Sequence, residues 1–113
     1  MPDQQVLSVA VFDVIPGREQ ECLALLRELH GVLRRKGYSR DLLYHDPKSR
    51  SRYINVRVWN SEQQQREAAE DPEIHRYWVR LPEVLEMRAV YERLESVPGF
   101  PSQFGPEPPQ EQQ

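Results

Sequence analysis

The sequence predicts an α+β domain in which four strands form one antiparallel sheet and helices cover one of its faces. Residues 52–59 (RYINVRVW) alternate between β-branched aliphatic side chains and larger polar or aromatic ones, as in a strand with two different faces. Residues 18–36 place apolar side chains three or four positions apart, as in a helix with one buried stripe. The predicted order of strand, helix, strand, strand, helices and strand is the split βαβ arrangement.

The first half of the chain supplies an inner strand and the longest helix. Residues 6–14 are apolar on both faces, as a strand in the middle of a sheet requires. Pro16-Gly17 ends this strand, and Gly37 is expected to cap the helix that follows. The buried stripe of that helix comprises Cys22, Leu25, Leu26, Leu29, Val32 and Leu33. We therefore interpret Cys22 as a core residue rather than a reactive thiol.

A hairpin is predicted next. Residues 38–46 form its first strand, residues 46–49 (DPKS) its turn, and residues 52–59 its second strand. The first strand alternates its side chains, with Leu42 and Tyr44 on one face and Leu43 and His45 on the other.

Two short helices and a last strand complete the domain. Ser61 and Gln64 form a capping box that begins a helix ending near residue 70. Asp71-Pro72 begins another helix, which Pro82 is expected to end or kink. Residues 87–94 then read as a strand. Simple alternation puts Met87, Ala89 and Tyr91 on one face, and Arg88, Val90 and Glu92 on the other.

The strand at residues 52–59 suggests where a functional site lies. Its even positions, Ile54, Val56 and Val58, are expected to pack under the helices. Its odd positions carry hydrogen-bonding groups and rings, which suit a cavity or an interface; an ordinary solvated face is the alternative. The remaining strands are apolar on both faces, so the face without helices needs a cover. The same face of a second copy would supply it, which predicts a homodimer with a pocket inside or between its subunits.

Composition limits the classes of function. The 113 residues suit one domain at residues 1–97, followed by a Pro- and Gln-rich tail at 98–113 that is expected to be mostly disordered, although Phe100 and Phe104 are candidates for local docking. A net charge of −3 argues against nucleic acid or an anionic membrane as partner. Without a leader or a long apolar run, the chain is expected to be cytoplasmic.

No residue cluster with metal-ligand spacing, glycine-rich phosphate loop or nucleophile elbow is evident, so neither a metal nor a cofactor is expected. The single cysteine also rules out an internal disulfide.

Four segments carry a family resemblance: LLYHDP, VRVWNSEQ, DPEIHRYW and AVYERLE. With the order of elements, they make residues 6–97 resemble the antibiotic biosynthesis monooxygenase-like (ABM) domains of the dimeric α+β barrel superfamily. The resemblance implies a ferredoxin-like subunit and a homodimer whose sheets form a barrel. That family includes enzymes that oxidise aromatic polyketides or quinols with O₂ and no cofactor, haem-degrading relatives, and members without known activity.

The haem-degrading branch fits the sequence less well. Its members carry a second tryptophan and a haem-ligating histidine after the strand-end tryptophan. With Trp59 as the strand-end residue, these positions fall on Ala68 and Trp78, neither of which matches. His75 lies one helical turn from Trp78, so a small shift would be needed to restore the ligand.

Oxygenase chemistry without a cofactor needs a base, donors that stabilise a substrate anion, and a flat apolar pocket. The candidate catalytic residues are His75 as the base and Arg57 with Asn55 as the groups that hold the anion; the candidate substrate-binding residues are Trp59, Tyr53, Trp78 and Tyr44. Each also has an ordinary structural explanation: a solvated histidine, core aromatic rings, or an arginine paired with a carboxylate. We assign no role to His30 or His45.

Two functions therefore remain. One is a cofactor-independent monooxygenase acting on an aromatic or quinone-like molecule; the other is a non-catalytic dimeric barrel that binds a small ligand or has a structural or regulatory role. The enzyme hypothesis expects His75, Asn55 and Arg57 to face one cavity.

Overall fold

The computed structural model describes residues 6–100, and these form the predicted four-stranded α+β fold. The elements are β1 (Val6–Val14), α1 (Glu19–Arg35), β2 (Ser39–His45), β3 (Arg52–Trp59), α2 (Glu62–Ala69), α3 (Pro72–Arg80), a 3₁₀ turn (Leu81–Glu83) and β4 (Leu85–Glu95). The strand order is β2-β3-β1-β4, and every neighbouring pair is antiparallel. Most of the predicted tail, including Phe104, lies outside the described residues, and Phe100 is exposed.

Helix α1 buries the predicted stripe. All six residues of that stripe, Cys22 among them, are buried. Burial raises the pKa of the Cys22 thiol to about 11, as expected for a core cysteine. The helix ends in a Schellman motif, because the Gly37 and Tyr38 amides donate to Arg34 O (3.0 Å) and Leu33 O (2.9 Å), and Gly37 has a φ of 77°.

Strand β3 corrects one expectation about the sheet faces. The odd positions, not the aliphatic even ones, lie under the helices. Tyr53 pairs with Phe12 across the strands, both join the core beneath α1, and the Tyr53 hydroxyl donates to Glu19 at 3.1 Å. Large rings fill the gap between sheet and helices better than valines do, and their polar ends find partners there. Ile54, Val56 and Val58 therefore face the opposite side.

We call that opposite side the open face. Its apolar members, given by the strand register, are Leu7, Val9, Val11, Leu42, Tyr44, Ile54, Val56, Val58, Ala89, Tyr91 and Leu94. The same register puts the charged residues Asp13, Arg40 and Arg52 on this side. Tyr44 and Tyr91 are each 52% exposed, although both are large rings on an apolar surface. The open face is thus largely apolar, but for β3 this is the face that was expected to lie under the helices.

Strand β4 departs from simple alternation. Its register shifts between Val11 and Phe12, so that Met87 pairs with Phe12 and Ala89 with Val11, leaving Arg88 as the extra residue. Met87 therefore shares a face with Val90 rather than with Ala89 and Tyr91, which corrects the predicted pattern. Because of this bulge, both Met87 and Val90 border the space beneath the helices.

Helices α2 and α3 begin at the predicted caps. Ser61 Oγ accepts from the Gln64 amide (3.1 Å), and Asp71 Oδ1 accepts from the Glu73 amide (2.9 Å). Asp71 also ties α3 to the end of α1, since it accepts from Tyr38 at 2.6 Å and Lys36 at 2.9 Å. These bonds hold the pKa of Asp71 well below its usual range. No helix within residues 6–100 is long and apolar enough to cross a membrane.

Candidate active site

A cavity of about 380 Å³ lies between the sheet and the helices, in the size range of small-molecule sites. Its sheet side is formed by β1, β3 and β4, and its helix side by α2, α3 and the turn that follows. Apolar walls come from Ala10, Trp59, Ala69, Trp78, Leu81, Met87 and Val90. The hydrogen-bonding side chains at its lining are Ser8, Asn55, Arg57, Gln65 and Glu92. The cavity is thus mainly apolar with a polar patch, as a site for a flat organic ring requires.

The polar patch is organised by a buried carboxylate, Asp41, whose side chain is 0% exposed. Its Oδ2 accepts from Arg57 Nε at 2.7 Å and from Asn55 Nδ2 at 2.9 Å. Its Oδ1 accepts from Ser39 Oγ at 3.2 Å. Strand β2 places Asp41 directly opposite Arg57, so the hairpin register creates this ion pair.

The amide of Asn55 has one end occupied and one end free. Asn55 is 6% exposed; its nitrogen donates to Asp41, whereas its Oδ1 has no hydrogen-bond partner among the described residues. A buried acceptor without a donor is unfavourable by about 1–3 kcal/mol. Because Asn55 lines the cavity, a ligand hydroxyl there would supply the donor.

Trp59 is fixed at the end of β3. Its indole N–H donates to Ser8 Oγ at 2.7 Å, and the Ser8 hydroxyl donates to Glu92 O at 2.6 Å. The Arg57 guanidinium carbon lies 5.6 Å from the centre of the Trp59 ring, within the range of a cation–π contact. The tryptophan therefore presents a rigid ring beside the cation.

The structure brings together four of the seven predicted site residues. Asn55, Arg57, Trp59 and Trp78 all line the cavity. Tyr53 lies in the core under α1, and Tyr44 lies on the open face. His75 is exposed on α3 and is not among the residues that line the cavity, so the expectation that His75, Asn55 and Arg57 face one cavity is wrong for His75.

Comparison with known proteins agrees with this fold. A family model described as antibiotic biosynthesis monooxygenase matches residues 6–90. The chain belongs to the antibiotic biosynthesis monooxygenase family. No protein with a curated functional description matches it.

Solved structures of similar fold span nearly their whole length. SnoaB from Streptomyces nogalater, a cofactor-independent oxygenase, is 20% identical with a TM-score of 0.68; the match covers 84% of this chain and 98% of SnoaB. SO0527 from Shewanella oneidensis is 22% identical with a TM-score of 0.69, covering 84% of this chain and 93% of that one. A conserved Bacteroides thetaiotaomicron protein of unknown function is 14% identical with a TM-score of 0.71, covering 84% and 100%. At these identities the similarity establishes the fold.

The cavity does not offer the ligand that the haem-degrading alternative expects. The described residues that line it include no histidine, cysteine or tyrosine that would ligate haem iron through its side chain. His75, the one candidate for a shifted ligand, lies outside it. Residues 6–100 also contain no group of three or more His, Cys, Asp or Glu positioned to hold a metal ion.

Sequence reasoning missed two residues of the polar patch, Asp41 and His30. His30 was given no role, yet its Nε2 lies 3.5 Å from Asp41 Oδ2 and has no hydrogen-bond partner among the described residues. Burial lowers the pKa of His30, so the ring is neutral at pH 7. A signal for Asp41 was present, because pairing the two hairpin strands across the turn at residues 46–49 places Asp41 opposite Arg57. His30 lies four residues after Leu26, at the margin of the apolar stripe.

Proposed function

We propose that this protein is a cofactor-independent monooxygenase acting on an aromatic or quinone-like small molecule bound in the cavity. The observation that carries the proposal is the unpartnered Oδ1 of Asn55, a buried acceptor at the lining of an apolar cavity. Beside it stand a cation, Arg57, and two tryptophan rings, Trp59 and Trp78. This set matches a flat ring that carries an acidic hydroxyl.

The proposed chemistry begins with ionisation of the bound ring. Its hydroxyl hydrogen-bonds to Asn55 Oδ1. When its proton passes to a water molecule, Arg57 stabilises the phenolate or enolate that forms. The electron-rich anion then reduces O₂. For an anthrone, the ring CH₂ becomes a C=O, one oxygen atom enters the product, and the other leaves as water with the two hydrogens. The apolar walls contact the faces of the reacting ring.

Two of the three proposed catalytic residues belong to this scheme. Because His75 is exposed and does not border the cavity, we assign it no part in proton removal. Ionisation would instead depend on the acidity of the substrate and on the positive field of Arg57. Substrates with hydroxyl or enolisable groups that ionise readily are therefore the ones to test.

The test is O₂ consumption with a panel of hydroquinones and anthrones. We expect wild-type protein to exceed the spontaneous oxidation rate for at least one member, and Asn55→Ala to lose most of that excess. Asn60→Ala is the matched control, because Asn60 lies just beyond β3, is exposed and donates to Gly37 O (2.6 Å). Binding of the panel without any enzyme-dependent O₂ consumption would contradict the proposal.

Two observations favour a second candidate, a non-catalytic barrel that binds a small ligand. No histidine borders the cavity among the described residues, and the charge of Arg57 is already neutralised by Asp41. Such a protein would bind the same flat rings and leave them unchanged. Equilibrium binding followed by recovery of unmodified ligand would establish it.

We also propose that two copies pair through the open face as a homodimer. That face is an apolar sheet surface with exposed rings, and sheets stack face to face at about 10 Å. The cavity lies on the other side of the sheet, so each subunit would keep its own complete site.

A further inference from the structure

His30 stands behind the cavity at the centre of a buried charge network. Its Nε2 contacts the same Asp41 oxygen that accepts from Arg57 and Asn55. Arg57 Nε lies 2.7 Å and His30 Nε2 3.5 Å from that oxygen, so about 6 Å at most separates the two nitrogens. The His30 side chain is 20% exposed, which leaves the ring a route for proton exchange with water.

Counting charges shows what an anionic ligand does to this network. Asp41 and Arg57 cancel, and the neutral His30 ring adds nothing, so this buried trio has no net charge. Glu92, the other charged residue at the cavity lining, is exposed to solvent. An ionised ring beside Arg57 adds one negative charge next to the buried Asp41 carboxylate. An uncompensated buried charge is strongly unfavourable, so a compensating proton on a nearby group would be favoured.

We infer that His30 takes up a proton when an anionic ring occupies the cavity, so that the buried site remains electrically neutral. This rests on the proposed ligand class but does not require turnover. His30 is thus a charge-compensating residue that acts through Asp41, and Arg57 makes the contact with the anion.

The surroundings of His30 support proton uptake. Burial lowers its pKa, the Asp41 carboxylate on β2 raises it, Arg57 on β3 lowers it, and the adjacent Asn55 amide raises it. An anion paired with Arg57 offsets the one nearby cation, so the pKa of His30 rises on binding. Two other cations on α1, Arg27 and Arg34, are exposed. On the side of α3, the Tyr77 hydroxyl donates to Glu28 of α1.

The source of the proton depends on the ligand. When a ring that is already ionised in water binds, the His30 imidazole takes up one proton from solvent. A neutral phenol or enol loses its hydroxyl proton on binding while His30 gains one, and the complex exchanges none with solvent. Proton uptake with a permanently charged ring is therefore the cleaner measurement.

Calorimetry in buffers of different ionisation enthalpy measures this uptake. The probes are anthraquinone-2-sulfonate, which stays anionic, and the neutral 2-(hydroxymethyl)anthraquinone. At pH 7 we expect about half a proton or more per bound sulfonate and about zero for the neutral ring. His30→Gln should abolish the uptake, whereas His45→Gln should retain it, because His45 is exposed and its ring contacts Arg50 O. Sulfonate binding without uptake, or equal uptake in His30→Gln, would overturn the inference.

A titration without ligand tests the same coupling. NMR of the His30 ring, assigned by its loss in His30→Gln, should give a pKa below 6.5 in wild-type protein. In Arg57→Gln the pKa should rise by about one unit, since the nearby cation is gone. An unchanged pKa of His30 in Arg57→Gln would overturn the inference even if neither probe binds. If Arg57→Gln does not fold, calorimetry on the wild-type protein decides. Failure of the proposed function is a separate result: no O₂ consumption while proton uptake remains normal.

Discussion

Replacing Arg57 with methionine is the sharpest test of the buried ion pair. Asp41 is completely buried, and Arg57 is its cationic partner at 2.7 Å, with 14% of the arginine side chain exposed. Arg57→Met keeps most of the apolar stem and removes only the guanidinium. The carboxylate then stays buried without its cation, and the folded state must either hold that charge or protonate a neighbouring group.

The expected loss of stability follows from the contacts that remain. Removing one partner of a buried ion pair lowers the free energy of unfolding by about 3–5 kcal/mol. Asp41 keeps hydrogen bonds from Asn55 and Ser39, and His30 lies within reach, so we expect a value near 3 kcal/mol. For a domain of this size, the melting temperature should fall by roughly 10 °C.

Urea unfolding of a double-mutant cycle measures the effect. The cycle comprises wild type, Arg57→Met, Asp41→Leu and the double variant. We expect the free energy of unfolding of the double variant to be at least about 2 kcal/mol higher than the sum of the two single losses predicts. Arg66→Met is the matched control, because Arg66 is exposed and its pair with Glu62 is long, at 3.7 Å; no measurable change is expected. Unaltered stability in Arg57→Met, or an additive cycle, would refute the buried pair. A stable and fully active Arg57→Met would in addition remove Arg57 from the proposed chemistry.

Three further predictions concern pH, assembly and the tail. Because burial lowers the pKa of His30 below 6.5, the unfolded chain binds a proton that the folded one does not; wild-type stability in urea should therefore fall as pH drops below 6.5, and His30→Gln should show a shallower fall. Tyr91→Lys places a charge on the open face and should give a monomer by light scattering, whereas Val79→Lys, at an exposed position of α3, should remain a dimer; a monomeric wild type would contradict the pairing. A chain ending after Val97 should melt within a few degrees of the full chain, and a drop of about ten degrees or more would show that the tail packs on the domain.

The elements were predictable because their signals are local. Pro16-Gly17 and Gly37 bracket α1, and Ser61 and Asp71 cap the two short helices through bonds to nearby amides. The bounds of β1 and β3 agree with the predicted ones, since each strand has breakers or turns next to it. Such features involve residues a few positions apart and do not depend on how the sheet packs.

The orientation of the sheet could not be read from one strand. Alternation in β3 establishes that its two faces differ, but either face can lie under the helices. The answer depends on the gap that α1 leaves above the sheet, which Phe12, Tyr53 and Trp59 fill. The bulge at Arg88 was likewise hidden, because Met87 to Tyr91 alternates plausibly in the sequence and only pairing with β1 reveals the extra residue.

The sequence predicted the site residues that lie on strand β3. Asn55, Arg57 and Trp59 share a face of β3, so alternation alone groups them, and Trp78 joins them because Ile74, Trp78 and Leu81 form the inward stripe of α3 and its following turn. His75 precedes Trp78 by three residues and is exposed instead.

The partners of this strand were harder to find from the sequence. Asp41 and His30 lie on β2 and α1, and their contact with Arg57 and Asn55 exists only after the hairpin and helix have packed.

A buried ion pair in a domain this small calls for a functional explanation, because apolar residues of similar volume at both positions are often equally or more stabilising. If Asp41 and Arg57 served stability alone, the Asp41→Leu, Arg57→Met double variant would change the free energy of unfolding and leave O₂ consumption unaltered. If they hold a cation beside the free carbonyl of Asn55, the same variant should fold and bind a neutral ring, yet lose the O₂ consumption above the spontaneous rate. Comparing its unfolding free energy with its rate separates the two explanations, and retention of full activity would show that the pair is structural.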